Sequence, residues 1–151
     1  GKELFAGISI SNGKTLFPDD FTKNLIIAHY LLLPGRGKAE HKQGLDFAIK
    51  AAEAYPSQAS MGKVIFAARY GELRPRAIEF CIKYFNDFIE NKNLYAKQHA
   101  YHHRIAAALN VASYLQRIAQ SQKKSELVQF YSDKTKEYNN ERKELLNGKR
   151  W

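Results

Sequence analysis

The strongest constraint on this chain is a helical period of apolar residues that sets in after Pro18 and is interrupted at short intervals by proline, glycine and asparagine. Phe21, Leu25, His29 and Leu32 recur at three- and four-residue steps, which places them on one side of a helix, until Pro34-Gly35 and Gly37 end the pattern. A second helix is expected from about Lys38 to Tyr55, with Leu45, Ala48, Ile49 and Ala52 on one face and Pro56 as its stop. A third begins near Ser57, a residue suited to capping a helix start, carries Val64, Ile65, Ala67 and Ala68, and ends at Gly71. Pro75 suits the first turn of a fourth, whose stripe is Ile78, Cys81, Ile82, Phe85 and Phe88 or Ile89. Asn93 is read as the cap of a long fifth helix reaching about Gln120. A sixth is expected from Ser121 or Ser125 to Asn147. About six helices and almost no strand make the fold class all-α.

The breaks suggest a grouping into three stacked antiparallel hairpins, forming either a repeat-like superhelix or an irregular bundle. Pair starts near residues 20, 57 and 93 lie about 36 apart, within the roughly 33 to 47 residues of stacked-hairpin repeats. Gly44, Ala48 and Ala51 are matched 33 residues later by Ala77, Cys81 and Tyr84, so two small positions recur where helices must approach closely. Residues 18–151 are read as a single helical domain. Ahead of it, residues 1–17 lack a helical period, and the alternation around Ile8 and Ile10 with Asn12-Gly13 suits a small hairpin or an extended arm.

Within residues 22–92 the chain resembles the tetratricopeptide and Sel1-like repeat families. Gly44, Ala48, Ala51 and Pro56 look like the second helix of one such hairpin and its following proline. Tyr70, Gly71, Ala77 and Phe80 resemble the turn and second helix of the next. The sequence departs from the repeat pattern at Pro34 to Gly37, at Tyr84 and at Asn91 to Asn93, and the third pair is too long for it.

Charge bears on what the surface attracts. With 24 Lys and Arg against 15 Asp and Glu, the chain carries a formal charge of +9, which favours anionic partners. The acid-free stretch between Glu90 and Glu126 holds Lys92, Lys97, Arg104, Arg117, Lys123 and Lys124 along with three histidines. On a helix spanning that stretch, Tyr101, Ile105, Ala108, Ala112, Leu115 and Ala119 form the core stripe. His99 and His103 then fall opposite it, sharing a face with Asn110 and Arg117 and flanked by Lys97 and Arg104, while His102 sits at the stripe's edge.

Three functions are compatible with that face. The preferred expectation is a non-enzymatic helical protein–protein interaction module that docks an acidic partner through Lys97, His99, His103, Arg104, Asn110 and Arg117. A basic nucleic-acid-binding domain is the first alternative, with Tyr95 and Tyr114 as candidate stacking platforms. The second is a metal-binding protein using His99 and His103, whose i, i+4 spacing lets two imidazoles reach one ion, although a zinc site needs three or four ligands.

No catalytic residue and no cofactor are expected. Cys81 falls on an apolar stripe, where a thiol behaves as a small hydrophobe. Pro34-Gly35-Arg36-Gly37-Lys38 lacks the strand and the Lys-Ser/Thr pair of a phosphate-binding loop. The longest apolar run, Leu25 to Pro34, is too short for the roughly 20 residues of a membrane span. Gly1 in place of Met leads to the expectation of a cleavage scar or trimmed precursor, and a single cysteine leaves the compartment open.

Overall fold

A computed structural model describes residues 19–148, and among them the chain is helical throughout, with six helices and no strand. These are α1 (Asp19–Leu31), α2 (Lys38–Ala54), α3 (Gln58–Ala67), α4 (Arg74–Tyr95), α5 (Tyr101–Ser121) and α6 (Ser125–Leu146). The expected arm at residues 1–17 lies outside the described residues. None of the helices is long and apolar enough to cross a membrane.

Local chemistry sets most of the boundaries. Ser57 caps α3 by accepting from the Ser60 backbone N–H at 3.2 Å, while Ser60 Oγ accepts from the Ser57 N–H at 3.0 Å, so two otherwise orphaned donors are satisfied reciprocally. Pro75 sits in the first turn of α4, where a missing N–H costs nothing. The boundary between the fourth and fifth helices differs from the expected one. Asn91 departs from helical dihedrals (φ −109°, ψ 17°), yet its side-chain amide donates to the Asp87 carbonyl at 3.2 Å and to Asp87 Oδ1 at 2.9 Å. The Tyr95 hydroxyl donates to Asp87 Oδ2 at 2.6 Å. These bonds carry the chain through a kink for one further turn, so the break falls at residues 96–100 and α5 starts at Tyr101 rather than Asn93.

Consecutive helices pack against one another, and α3 also contacts α1 and α5. The rings of Phe21 and Tyr55 lie 5.3 Å apart at one end of the α1–α3 pair, and Lys63 Nζ lies 2.8 Å from His29 Nδ1 at the other. His103 meets Tyr55 at 5.4 Å, and further along a methyl placed on Gly62 would touch the Asn110 amide at 3.6 Å. The three odd-numbered helices therefore run side by side in the same direction. The Tyr70 hydroxyl ties the first loop to the second hairpin by donating to the Leu32 carbonyl at 2.7 Å, and its ring stacks at 3.8 Å on His41 of α2, whose Nε2 lies 2.9 Å from the Leu33 carbonyl.

One apolar cluster extends from Ala28 to Leu145. The α5 stripe of Tyr101, Ile105, Ala108, Ala112, Leu115 and Ala119 is buried as expected. In α1 the stripe runs through Phe21, Ala28 and Leu32, and His29 is exposed instead of lying on it. Ile82, expected on the α4 stripe, is also exposed. Between α4 and α6, Phe85 meets Tyr131 at 5.6 Å and Tyr138 at 6.1 Å, and Phe88 meets Tyr138 at 5.1 Å, so aromatic rings fill this part of the core.

Candidate docking face

Acidic residues are partitioned by helix. In α2 they are Glu40, Asp46 and Glu53, in α4 Glu79, Asp87 and Glu90, and in α6 Glu126, Asp133, Glu137, Glu141 and Glu144. By contrast, α3 and α5 contain none, and α1 has none beyond Asp19 and Asp20 at its start. Because α1, α3 and α5 are the helices that lie side by side, one layer of the molecule is nearly devoid of carboxylates.

That layer carries cations resting on aromatic rings. Lys63 Nζ lies 5.6 Å from the centroid of Phe66, and the Arg69 guanidinium lies 4.5 Å from the same ring. The Arg117 guanidinium is 5.9 Å from Tyr114. Neither Lys63, Arg69 nor Arg117 forms an ion pair among the described residues, whereas Arg36, Arg76, Lys92 and Lys134 each hold a carboxylate. The cations of the layer are thus positioned by rings, Lys63 also by His29, with no carboxylate among the described residues neutralising them.

The residues expected to form one face are divided by the structure. His99 lies in the turn before α5, not on the helix, so it does not pair with His103 one helical turn away. Lys97 is exposed in the same turn, and both residues line a hollow of about 350 Å³ with Tyr101, His102 and Leu145. His103, expected on the exposed side, is half-buried against Tyr55. Asn110 donates toward the Gln58 carbonyl at 3.4 Å and so faces α3.

Arg104 turns toward α4, its guanidinium 4.0 Å from the centroid of Tyr95, in a hollow also lined by Glu53 and Asp87. Lys92, counted with the acid-free stretch, pairs with Glu141 of α6 at 2.8 Å. Tyr95, read as part of the fifth helix, belongs to α4. Of the expected set, Arg117 remains exposed on the shared layer, which also carries Lys63 and Arg69 of the α3 segment, two residues outside the expected set. The signal for those two was present, since no acid occurs between Glu53 and Glu72 or between Asp20 and Glu40, the same absence that drew attention to the fifth helix.

The metal geometry changes accordingly. Among the described residues, no group of three or more His, Cys, Asp or Glu is arranged to hold an ion. Cys81 is fully buried and its thiol is pushed up to about 12, leaving a negligible thiolate fraction at neutral pH.

Burial holds His102 and His103 below the usual imidazole range, with neighbouring His103 and His99 adding to the effect at His102. As pH falls, the unfolded chain takes up protons before these folded imidazoles do. Stability present above the unfolded histidine value of about 6.5 is therefore lost as pH drops through it. The melting temperature followed by circular dichroism at fixed ionic strength is expected to fall from pH 7 to pH 5, with a shallower slope in the His102→Gln/His103→Gln double variant. Equal slopes in the two proteins would contradict this assignment.

Comparison with protein-family models, with curated proteins and with solved structures finds no match to this chain.

Proposed function

We propose that this protein is a non-enzymatic helical interaction module that recruits an acidic protein partner to the layer formed by α1, α3 and α5. The carrying observation is the partition of carboxylates, which occupy α2, α4 and α6 and are missing from the α1–α3–α5 layer beyond Asp20. Charge complementarity on such a face steers encounter and selects against cationic or neutral partners. Stacked hairpins of the kind the sequence resembles supply an extended surface suited to this use.

The test is fluorescence anisotropy with a labelled polyglutamate peptide, comparing wild type with the Lys63→Glu/Arg117→Glu variant. Each exposed pair contributes up to about 1 kcal/mol, so reversing both charges is expected to weaken binding about tenfold or more at low salt. Arg104 is left unchanged because it turns toward Tyr95 of α4, in a hollow also lined by Glu53 and Asp87, and so lies outside the layer. Affinity should also decline with ionic strength, as exposed charges are screened. Unchanged affinity in the double variant would refute the reading. Tighter binding to a single-stranded oligonucleotide than to the peptide would favour nucleic acid instead.

A further inference from the structure

The α1–α3–α5 face changes character along its length. At its leading end, Phe21, Thr22 and Leu25 of α1, Ala59 of α3 and His103 of α5 surround a largely apolar hollow of about 360 Å³. The cations lie further along the same stripes. Leu25 is followed at i+4 by His29, Ala59 at i+4 by Lys63 and at i+7 by Phe66, and His103 at i+7 by Asn110 and at i+14 by Arg117. Hollow and cations therefore face the same side. The fourteen residues from His103 to Arg117 correspond to about 21 Å at 1.5 Å per residue.

We propose that the occupant of this face is an acidic peptide segment with one bulky apolar side chain about six residues from its carboxylates, since an extended chain advances about 3.3 Å per residue. The apolar side chain seats between Leu25, Ala59 and His103, and the carboxylates meet Arg117 and, past the end of α3, Arg69. This inference rests on the proposed function and adds the form of the partner to it. Two observations favour a peptide over nucleic acid. Phe66 and Tyr114 already have cations over their rings, which competes with base stacking. A hollow walled by Phe21, Leu25 and Ala59 offers nothing to a phosphodiester but removes an aliphatic side chain from water.

The experiment titrates the full chain with labelled synthetic peptides by anisotropy. One peptide carries leucine, a six-residue Gly/Ser spacer and four glutamates, a second has the reverse order, and a third replaces leucine with glycine. Wild type is expected to bind one of the leucine peptides at least about tenfold tighter than the glycine peptide, as burying leucine implies. Ala59→Trp, which fills the hollow from an exposed position, should abolish that advantage and leave the glycine peptide unaffected. Ala59→Leu serves the same purpose if thermal melts show that the larger substitution unfolds the chain. Equal affinity of wild type for leucine and glycine peptides would overturn the inference, the hollow then being filled by residues 1–18, by a second copy or by nothing. If Lys63→Glu/Arg117→Glu still weakened both peptides, the proposed function would stand without it. Failure of every peptide to bind at low salt, or tighter binding of an oligonucleotide, would overturn both.

Discussion

Replacing Phe85 with alanine is expected to lower the unfolding free energy by about 3–5 kcal/mol, the range for deleting a fully buried aromatic ring. Phe85 is fully buried, and its ring contacts Phe130, Tyr131 and Tyr138 of α6. Truncation removes the transfer energy of the ring and opens a space bounded by other rigid rings, which relax into it poorly. Urea denaturation followed by circular dichroism would measure the effect as a lower midpoint. A loss below about 1 kcal/mol would mean that the aromatic layer between α4 and α6 is not packed as described. Leucine at the same position should restore part of the loss, because it returns volume without the planar faces.

Gly44→Ala provides the second large effect, and its sign is decided by two opposing terms. Alanine in a helix interior is favoured over glycine by about 1 kcal/mol. At this position, however, the new Cβ would lie 2.7 Å from Leu32 Cγ and 3.1 Å from Leu31 Cβ. Leu32 is itself fully buried, so relief requires α1 and α2 to separate. Overpacking of this kind costs about 1–3 kcal/mol, and the net expectation is destabilisation despite the better helix former. Thermal denaturation of Gly44→Ala beside Gly62→Ala, also in a helix interior but where a methyl meets only the Asn110 amide at 3.6 Å, would separate contact from propensity. A melting temperature above wild type for Gly44→Ala would show that the two helices are less closely apposed.

The helices were legible because apolar periodicity and breaker residues are local signals. The α5 core stripe, the Ser57 cap and the close approach at Gly44 all appear in the sequence at the positions where the structure uses them. The break after α4 was misplaced for an equally local reason. Asn91 reads as a terminator, but its amide finds acceptors on Asp87, which sustains the helix across the kink. The candidate face was less legible, since it depends on which helices become neighbours. His103 looked exposed when α5 was considered alone and is half-buried once Tyr55 and α3 are placed beside it. Arg104 lay on the flank of a helical wheel, whereas Tyr95 draws it toward α4. Lys63 and Arg69 acquire a shared context with Arg117 only through the α3–α5 contact.

The common direction of α1, α3 and α5 has an electrostatic consequence. Their carbonyl poles emerge on one side of the molecule, each equivalent to roughly half a negative charge. His29 lies in the last turn of α1, Arg69 follows the end of α3 and Arg117 approaches the end of α5. Peptide dipoles thus favour positive charge at that end of the layer, and folding can tolerate Arg69 and Arg117 there without carboxylate partners among the described residues.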